Sequence, residues 1–148
     1  MDKLTPEQRH KCMSAIRSTE TKPEIFFRKA LWQWGIRFRK NVKGLFGKPD
    51  IAIKKYKIVI FIDGDFWHGL DWEKRKFASQ EEMLASYSEY WSKKIRRNIE
   101  RDKEVTKYYK KNKWTILRFS TSEINAKLNK CIIKIIKTID RKRKNMNL

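Results

Sequence analysis

The stretch Gly47-Lys48-Pro49-Asp50-Ile51-Ala52-Ile53-Lys54-Lys55-Tyr56-Lys57-Ile58-Val59-Ile60-Phe61-Ile62-Asp63-Gly64-Asp65-Phe66-Trp67-His68-Gly69 decides the fold. Ile58-Val59-Ile60-Phe61-Ile62 is the most apolar run in the chain, and four of its five residues are β-branched, which suits a central strand. Asp50-Ile51-Ala52-Ile53 is a second, shorter apolar piece, and the polar Lys54-Lys55-Tyr56-Lys57 between them reads as a hairpin turn. Asp50 opens one strand and Asp63 closes the next. An antiparallel hairpin therefore sets their carboxylates at the same end of neighbouring strands.

Working outward toward the N-terminus, Ile36 and Phe38, continued by Lys40 and Val42, alternate as a half-buried strand does, and Gly44 and Gly47 mark a turn. Before them Ile25, Phe26, Ala30, Leu31 and Trp34 recur at helical spacing until Gly35, and Thr5-Pro6-Glu7-Gln8 starts a first short helix over 5–19. Toward the C-terminus, 69–88 lacks a period and predicts a loop with a short helical piece at 81–84. Residues 89–111 predict the longest helix, with Trp91, Ile95, Ile99, Val105 and Tyr109 as its apolar stripe. Trp114-Thr115-Ile116-Leu117-Arg118-Phe119 reads as a strand, and Ser120-Thr121-Ser122-Glu123 caps a terminal helix marked by Ile124, Leu128, Ile132, Ile135, Ile136 and Ile139, followed by a frayed basic tail. The expectation is one α/β domain over 1–148, a central mixed sheet between helices, with an N-terminal arm over 1–21 and a basic tail over 140–148.

Thirty-seven Lys and Arg against seventeen acids leave a net charge of +20, a self-repelling surface unless an anionic partner such as nucleic acid covers it. An aromatic content of 13% argues for a packed core despite 36% charged residues. No apolar run approaches the roughly 18 residues of a membrane span, and Met1-Asp2-Lys3-Leu4-Thr5-Pro6 is not of signal-peptide type, so the chain is expected to be cytoplasmic with no membrane partner. Cys12 and Cys131 have no Cys or His at metal-ligand spacing, which supports neither a disulfide framework nor a thiolate zinc site.

Two carboxylates held together repel unless a cation lies between them, and hard oxygen donors are what Mg²⁺ takes, so Asp50 and Asp63 are the candidate metal pair. Gly64 permits a sharp turn that aims Asp65 either inward, as a third acid, or toward solvent. Glu24 is either a first-turn charge on its helix dipole or a further acid of the site. His68, five residues beyond Asp63, has the near-neutral pKa that suits proton transfer from an attacking water. Phe66 and Trp67, with Trp91, place rings beside these polar groups, where rings can wedge between base steps of a duplex. The segment from Lys93 to Asp102, including Lys94, Arg97 and Asn98, combines cations with amide and carboxylate groups that suit phosphate contacts.

With these residues placed, the chain resembles the very short patch repair endonuclease family, a branch of the PD-(D/E)xK nuclease superfamily. The resemblance runs over about 9–125 through Lys11-Cys12-Met13-Ser14-Ala15-Ile16, Glu24, Phe38-Arg39, Gly47-Lys48-Pro49-Asp50, Val59-Ile60-Phe61, Gly64-Asp65-Phe66-Trp67-His68, Tyr90-Trp91-Ser92-Lys93-Lys94-Ile95, Asn98-Ile99-Glu100-Arg101-Asp102 and Trp114-Thr115-Ile116-Leu117-Arg118. It implies a three-layer restriction-endonuclease-like fold, Asp50 as the principal Mg²⁺ ligand, the Ile62 carbonyl as a further one, and His68 as an essential proton-transfer residue. It also implies that Glu24 approaches the water network, that Phe66, Trp67 and Trp91 penetrate the duplex, and that Met13 of the arm helps to open the stack.

Such enzymes nick one strand 5′ to the thymine of a T:G mismatch in double-stranded DNA. The best-known repair enzyme of the family has a histidine where Asp63 stands and a cysteine where Asp65 stands, and Gly69, Leu70, Asp71 and Trp72 cannot supply its structural zinc site; no zinc is expected. The expected activity is therefore a Mg²⁺-dependent nick in DNA by a monomer, with repair or restriction-modification proteins as partners. The alternatives are a restriction-type nuclease without mismatch preference and a non-catalytic basic DNA-binding module.

Overall fold

A computed structural model describes residues 5–7 and 21–146. The helix expected over 5–19 falls almost entirely outside the described residues, as does Met13. Helix α1 spans Lys22–Gln33. Thr21 caps it by accepting the Glu24 N–H, Pro23 stands in its first turn, and Gly35 follows its end with φ +82°.

The sheet has four strands in the order β1 (Arg39–Lys40), β2 (Ile51–Ile53), β3 (Ile58–Asp63) and β4 (Thr115–Ser120). The β2–β3 hairpin pairs Ile51 with Ile60 and Ile53 with Ile58, and a short 3₁₀ turn over Lys54–Tyr56 ends at Lys57, whose φ of 54° is left-handed. β1 is shorter than the alternation of Ile36, Phe38, Lys40 and Val42 predicts. Asn41 turns to φ 47°, so the regular ladder stops at Lys40, although Asn41 and Val42 still donate their N–H groups to the Asp50 and Pro49 carbonyls.

From β3 the chain passes through turns to α2 (Gln80–Ser86) and α3 (Glu89–Lys111), then returns as β4, parallel to β3, with Asp63 opposite Ser120. α2 and α3 begin at Ser79 and Ser88, whose hydroxyls accept the Glu82 and Trp91 N–H groups. The terminal segment is two helices rather than the expected one, α4 (Thr121–Ala126) and α5 (Leu128–Met146), because Lys127 leaves helical geometry at φ −137°, ψ 48°. The 140–146 part of the tail continues α5 instead of fraying, with the Arg143 guanidinium against the Tyr56 ring and hydroxyl.

Alternation along the strands separates two cores. Ile51, Ile53, Ile58, Ile60, Leu117 and Phe119 meet Phe27 and Leu31 of α1, Ile124 of α4 and Ile132 and Ile135 of α5. Ala52, Val59 and Phe61 face the other way, onto Val105 and Tyr109 of α3. The mixed sheet lies between helical layers, the three-layer restriction-endonuclease-like α/β architecture. Asp63 continues the Val59–Phe61 face, and Arg118 shares it from β4, so both point charges toward α3.

Candidate active site

Asp50 stands immediately before β2, and its Oδ2 accepts the Ile62 N–H at 2.7 Å across the hairpin. Asp63 ends β3 and is buried. Asp50, Ile62, Asp63 and His68 line one cavity of about 590 Å³, together with Asn98, Asp102 and Arg118 and the cationic Lys43, Lys48 and Arg101. The hairpin therefore brings together the two acids expected to meet.

Burial pushes the Asp50 carboxyl up to about 7; the Ile62 N–H opposes the rise, the charges of Glu24 and Asp63 add to it, and Arg28 relieves part. Glu24 is itself buried on α1 with Arg28 3.6 Å away. Burial also raises Asp63, against the opposing pull of His68 and Arg118. Buried carboxylates that lie this close together are what a divalent cation relieves.

The turn after Asp63 is tight: the His68 N–H donates to the Gly64 carbonyl and the Gly69 N–H to that of Phe66. Gln80 fixes its far end by donating to the Gly69 carbonyl at 2.7 Å. The turn delivers His68 to α3, where Nδ1 donates to Asp102 Oδ2 at 2.5 Å, while Nε2 lies 3.8 Å from Asp63 Oδ1. A carboxylate only accepts, so the neutral ring carries its proton on Nδ1 and leaves Nε2 as the basic nitrogen. Burial lowers the His68 pKa, but the Asp102 hydrogen bond and the Asp63 and Asp102 charges outweigh it and the net shift is upward. Among the described residues, Asp63, His68 and Asp102 form a group whose ligand atoms lie within 4.8 Å of one another, close enough for one divalent metal ion.

Asp65 is not brought to this group. Its Oδ1 accepts from the Thr121 hydroxyl and the Ser122 N–H at the start of α4, and Oδ2 lies 3.7 Å from Lys74. Two residues now at the centre of the site, Asp102 and Arg118, were not singled out individually by the sequence reading. The available signals were Asp102 one helical turn beyond Asn98 and a lone cation inside the apolar run Ile116-Leu117-Arg118-Phe119.

Phe66, Trp67 and Trp91 form one half-buried aromatic group, with centroids 5.1 Å apart for Phe66–Trp67 and 5.4 Å for each ring against Trp91. Lys94 lies over Trp67 at 5.7 Å, and Asn98 donates to the Trp67 carbonyl at 2.9 Å. Arg97 is exposed on the same helix. The five residues Phe66, Trp67, Trp91, Lys94 and Asn98 thus share one surface beside the cavity.

The family model described as DNA mismatch endonuclease Vsr matches residues 1–74. The chain is 47% identical over 135 residues to a type II nicking enzyme, V.NmeDIP, of Neisseria meningitidis serogroup C, covering 91% of this chain and 88% of that one. It belongs to the Vsr family of DNA endonucleases. It is also 46% identical over 140 residues to the type II nicking enzyme V.HpaIIP of Haemophilus parainfluenzae, covering 94% and 96% of the two chains. To the DNA mismatch endonuclease Vsr of Escherichia coli K12 it is 32% identical over 116 residues, covering 78% and 69%. Family membership and the Asp63–His68–Asp102 group together make the chain a DNA-cutting hydrolase with a candidate metal centre. No helix among the described residues is long and apolar enough to cross a membrane.

Proposed function

We propose that the chain cuts one strand of duplex DNA 5′ to the thymine of a T:G mismatch, using Mg²⁺ and the residues that converge on the 590 Å³ cavity. The observation that carries the reading is the ordered pair Asp102–His68 beside Asp63 and Asp50, a base with its tautomer fixed next to a surplus of carboxylate. The donor set of Asp50, Asp63 and the Ile62 carbonyl is all oxygen, which fits a hard cation. Asp50 and Asp63, with the Ile62 carbonyl, would hold Mg²⁺, which supplies Lewis acidity to the scissile phosphate.

His68 Nε2 takes the proton of the attacking water, and Asp102 stabilises the imidazolium that results. Water bonds to phosphorus, the P–O3′ bond breaks, the departing 3′-oxygen takes a proton from solvent, and a 5′-phosphate and a 3′-hydroxyl remain. Glu24 orders the water network through its charge on Asp50. Phe66, Trp67 and Trp91 offer their rings to the opened stack, while Lys94, Arg97 and Asn98 track the backbone. Met13, in an arm over 1–21 of the single domain 1–148, contributes to opening the stack, and the basic 140–148 segment adds charge. The names of the two similar nicking enzymes support single-strand cutting, and that of the family model supports a mismatched substrate.

The test is cleavage of matched and T:G-containing duplexes, labelled on both strands, in Mg²⁺ and in chelator. A metal-dependent nick confined to the T-bearing strand of the mismatched duplex is the expected result. Equal cutting of both duplexes would keep the nuclease and reject the mismatch preference, and no metal-dependent cutting of either would overturn the reading.

A further inference from the structure

Proton transfer and metal binding leave Arg118 without a part, yet its guanidinium is closely engaged with the carboxylates of Asp63 and Asp102. Its Nη1 lies 3.1 and 3.2 Å from the two Asp63 oxygens and 3.4 Å from Asp102 Oδ1. Nη2 donates to the Asp102 backbone carbonyl at 3.3 Å, and Nε to the Thr106 hydroxyl at 3.3 Å. The guanidinium carbon lies 4.6 Å from the centroid of Phe61. Each nitrogen is thus engaged, and an aromatic face backs the group, so this is a fixed charge rather than a wandering surface cation.

Its location has a consequence for the metal. Asp63, His68 and Asp102 offer ligand atoms close enough for one ion, but Nη1 already stands against both carboxylates. A divalent ion placed between Asp63 and Asp102 would meet a positive charge at contact distance, where repulsion in a poorly solvated site amounts to several times the thermal energy. Asp50 lines the same cavity, but its Oδ2 is held by the Ile62 N–H, whereas the Arg118 guanidinium is spent on Asp63 and Asp102.

We propose that Arg118 is a positioning residue that acts as a built-in counter-charge. It excludes metal from the space between Asp63 and Asp102, confines one divalent ion to the Asp50 side of Asp63, and keeps that ion weakly held until a DNA phosphate adds its own negative charge. The inference rests on the reading of Asp50 and Asp63 as the metal pair. A merely architectural ion pair would make the opposite prediction, since breaking it would loosen Asp63 and weaken metal binding.

Calorimetric titration of the full chain with Mn²⁺, without DNA, separates these. Arg118→Met is expected to bind Mn²⁺ about tenfold more tightly, or to take up two ions in place of one, while its single-turnover cleavage falls and its DNA affinity stays within about threefold. Arg118→Lys, which keeps the charge, should keep one weakly held ion. Should Arg118→Met fail to fold, as judged by circular dichroism, Arg118→Gln carries the same expectation. Unchanged or weaker Mn²⁺ binding with one ion in the folded neutral variant overturns this proposal alone. If Asp63→Asn leaves the Mn²⁺ affinity of the parent chain unchanged, the metal-pair reading falls, and this inference with it.

Discussion

His68 and Asp50 owe their chemistry to what touches them. Asp102 fixes the His68 tautomer, so Asp102→Asn, whose amide can donate to Nδ1 and drive the ring proton onto Nε2, should remove the base without disturbing the fold. Single-turnover cleavage is expected to fall by roughly 10²–10⁴ with DNA affinity unchanged, and a rate within about threefold of the parent would contradict the role. Asp50 titrates near 7 in the folded chain against the ordinary 3.8 when unfolded. Between those values the folded state binds the additional proton, so metal-free protein loses stability as pH rises from about 4 to about 7. The raised His68 pKa acts in the same direction, its stabilising contribution being present below about 6.5 and lost as pH climbs through the folded value. Thermal unfolding in chelator should show the midpoint falling with pH across this window, and Asp50→Asn should flatten the slope.

Loop and helix interlock one level higher. The turn carrying Lys48-Pro49-Asp50 is anchored on α3: Gly47 has φ +77°, a Cβ there would lie 2.9 Å from both Val105 γ-carbons, and the Tyr109 hydroxyl donates to the Phe46 carbonyl at 2.5 Å. Burial pushes that phenol up to about 12, so it remains a donor throughout the working range. Gly47→Ala combines left-handed strain with a methyl clash and should cost roughly 1–3 kcal/mol in denaturant unfolding. Adding Val105→Ala should not restore it, because the backbone strain persists. The β2–β3 hairpin and the neighbourhood of Asp50 and Asp63 were legible in the sequence, because β-branched alternation and a polar turn define register locally. Asp102 and Arg118 were not. They reach the site from 34 and 55 residues away, Asp102 through the packing of α3 over the sheet and Arg118 through the pairing of β4 with β3. The shortness of β1 and the break at Lys127 depend on single backbone angles that periodicity does not encode.

For the molecule as a whole, a charge of +20 sets how DNA is held. Lys43, Lys48 and Arg101 line the cavity, and Lys94 and Arg97 extend the cationic surface past the aromatic group. If about six to ten phosphates are contacted, affinity should fall by roughly 10³–10⁵ between about 50 and 200 mM salt, measured by fluorescence anisotropy, with matched and mismatched duplexes falling in parallel. A shallow salt dependence would mean that the charge serves another surface. The sheet divides the chain's tasks: helices α1, α4 and α5 close one core behind it, while α3 on the other face supplies Asp102 and the cationic wall. The central claim is that the Asp50–Asp63–His68 centre performs the cut, whereas the aromatic and cationic surface holds the DNA. Its most direct test is Asp50→Ala on a T:G duplex in Mg²⁺, with nicking and binding read in the same samples. Binding within about threefold of the parent with nicking abolished is the predicted result, and nicking that persists at the parent rate would contradict it.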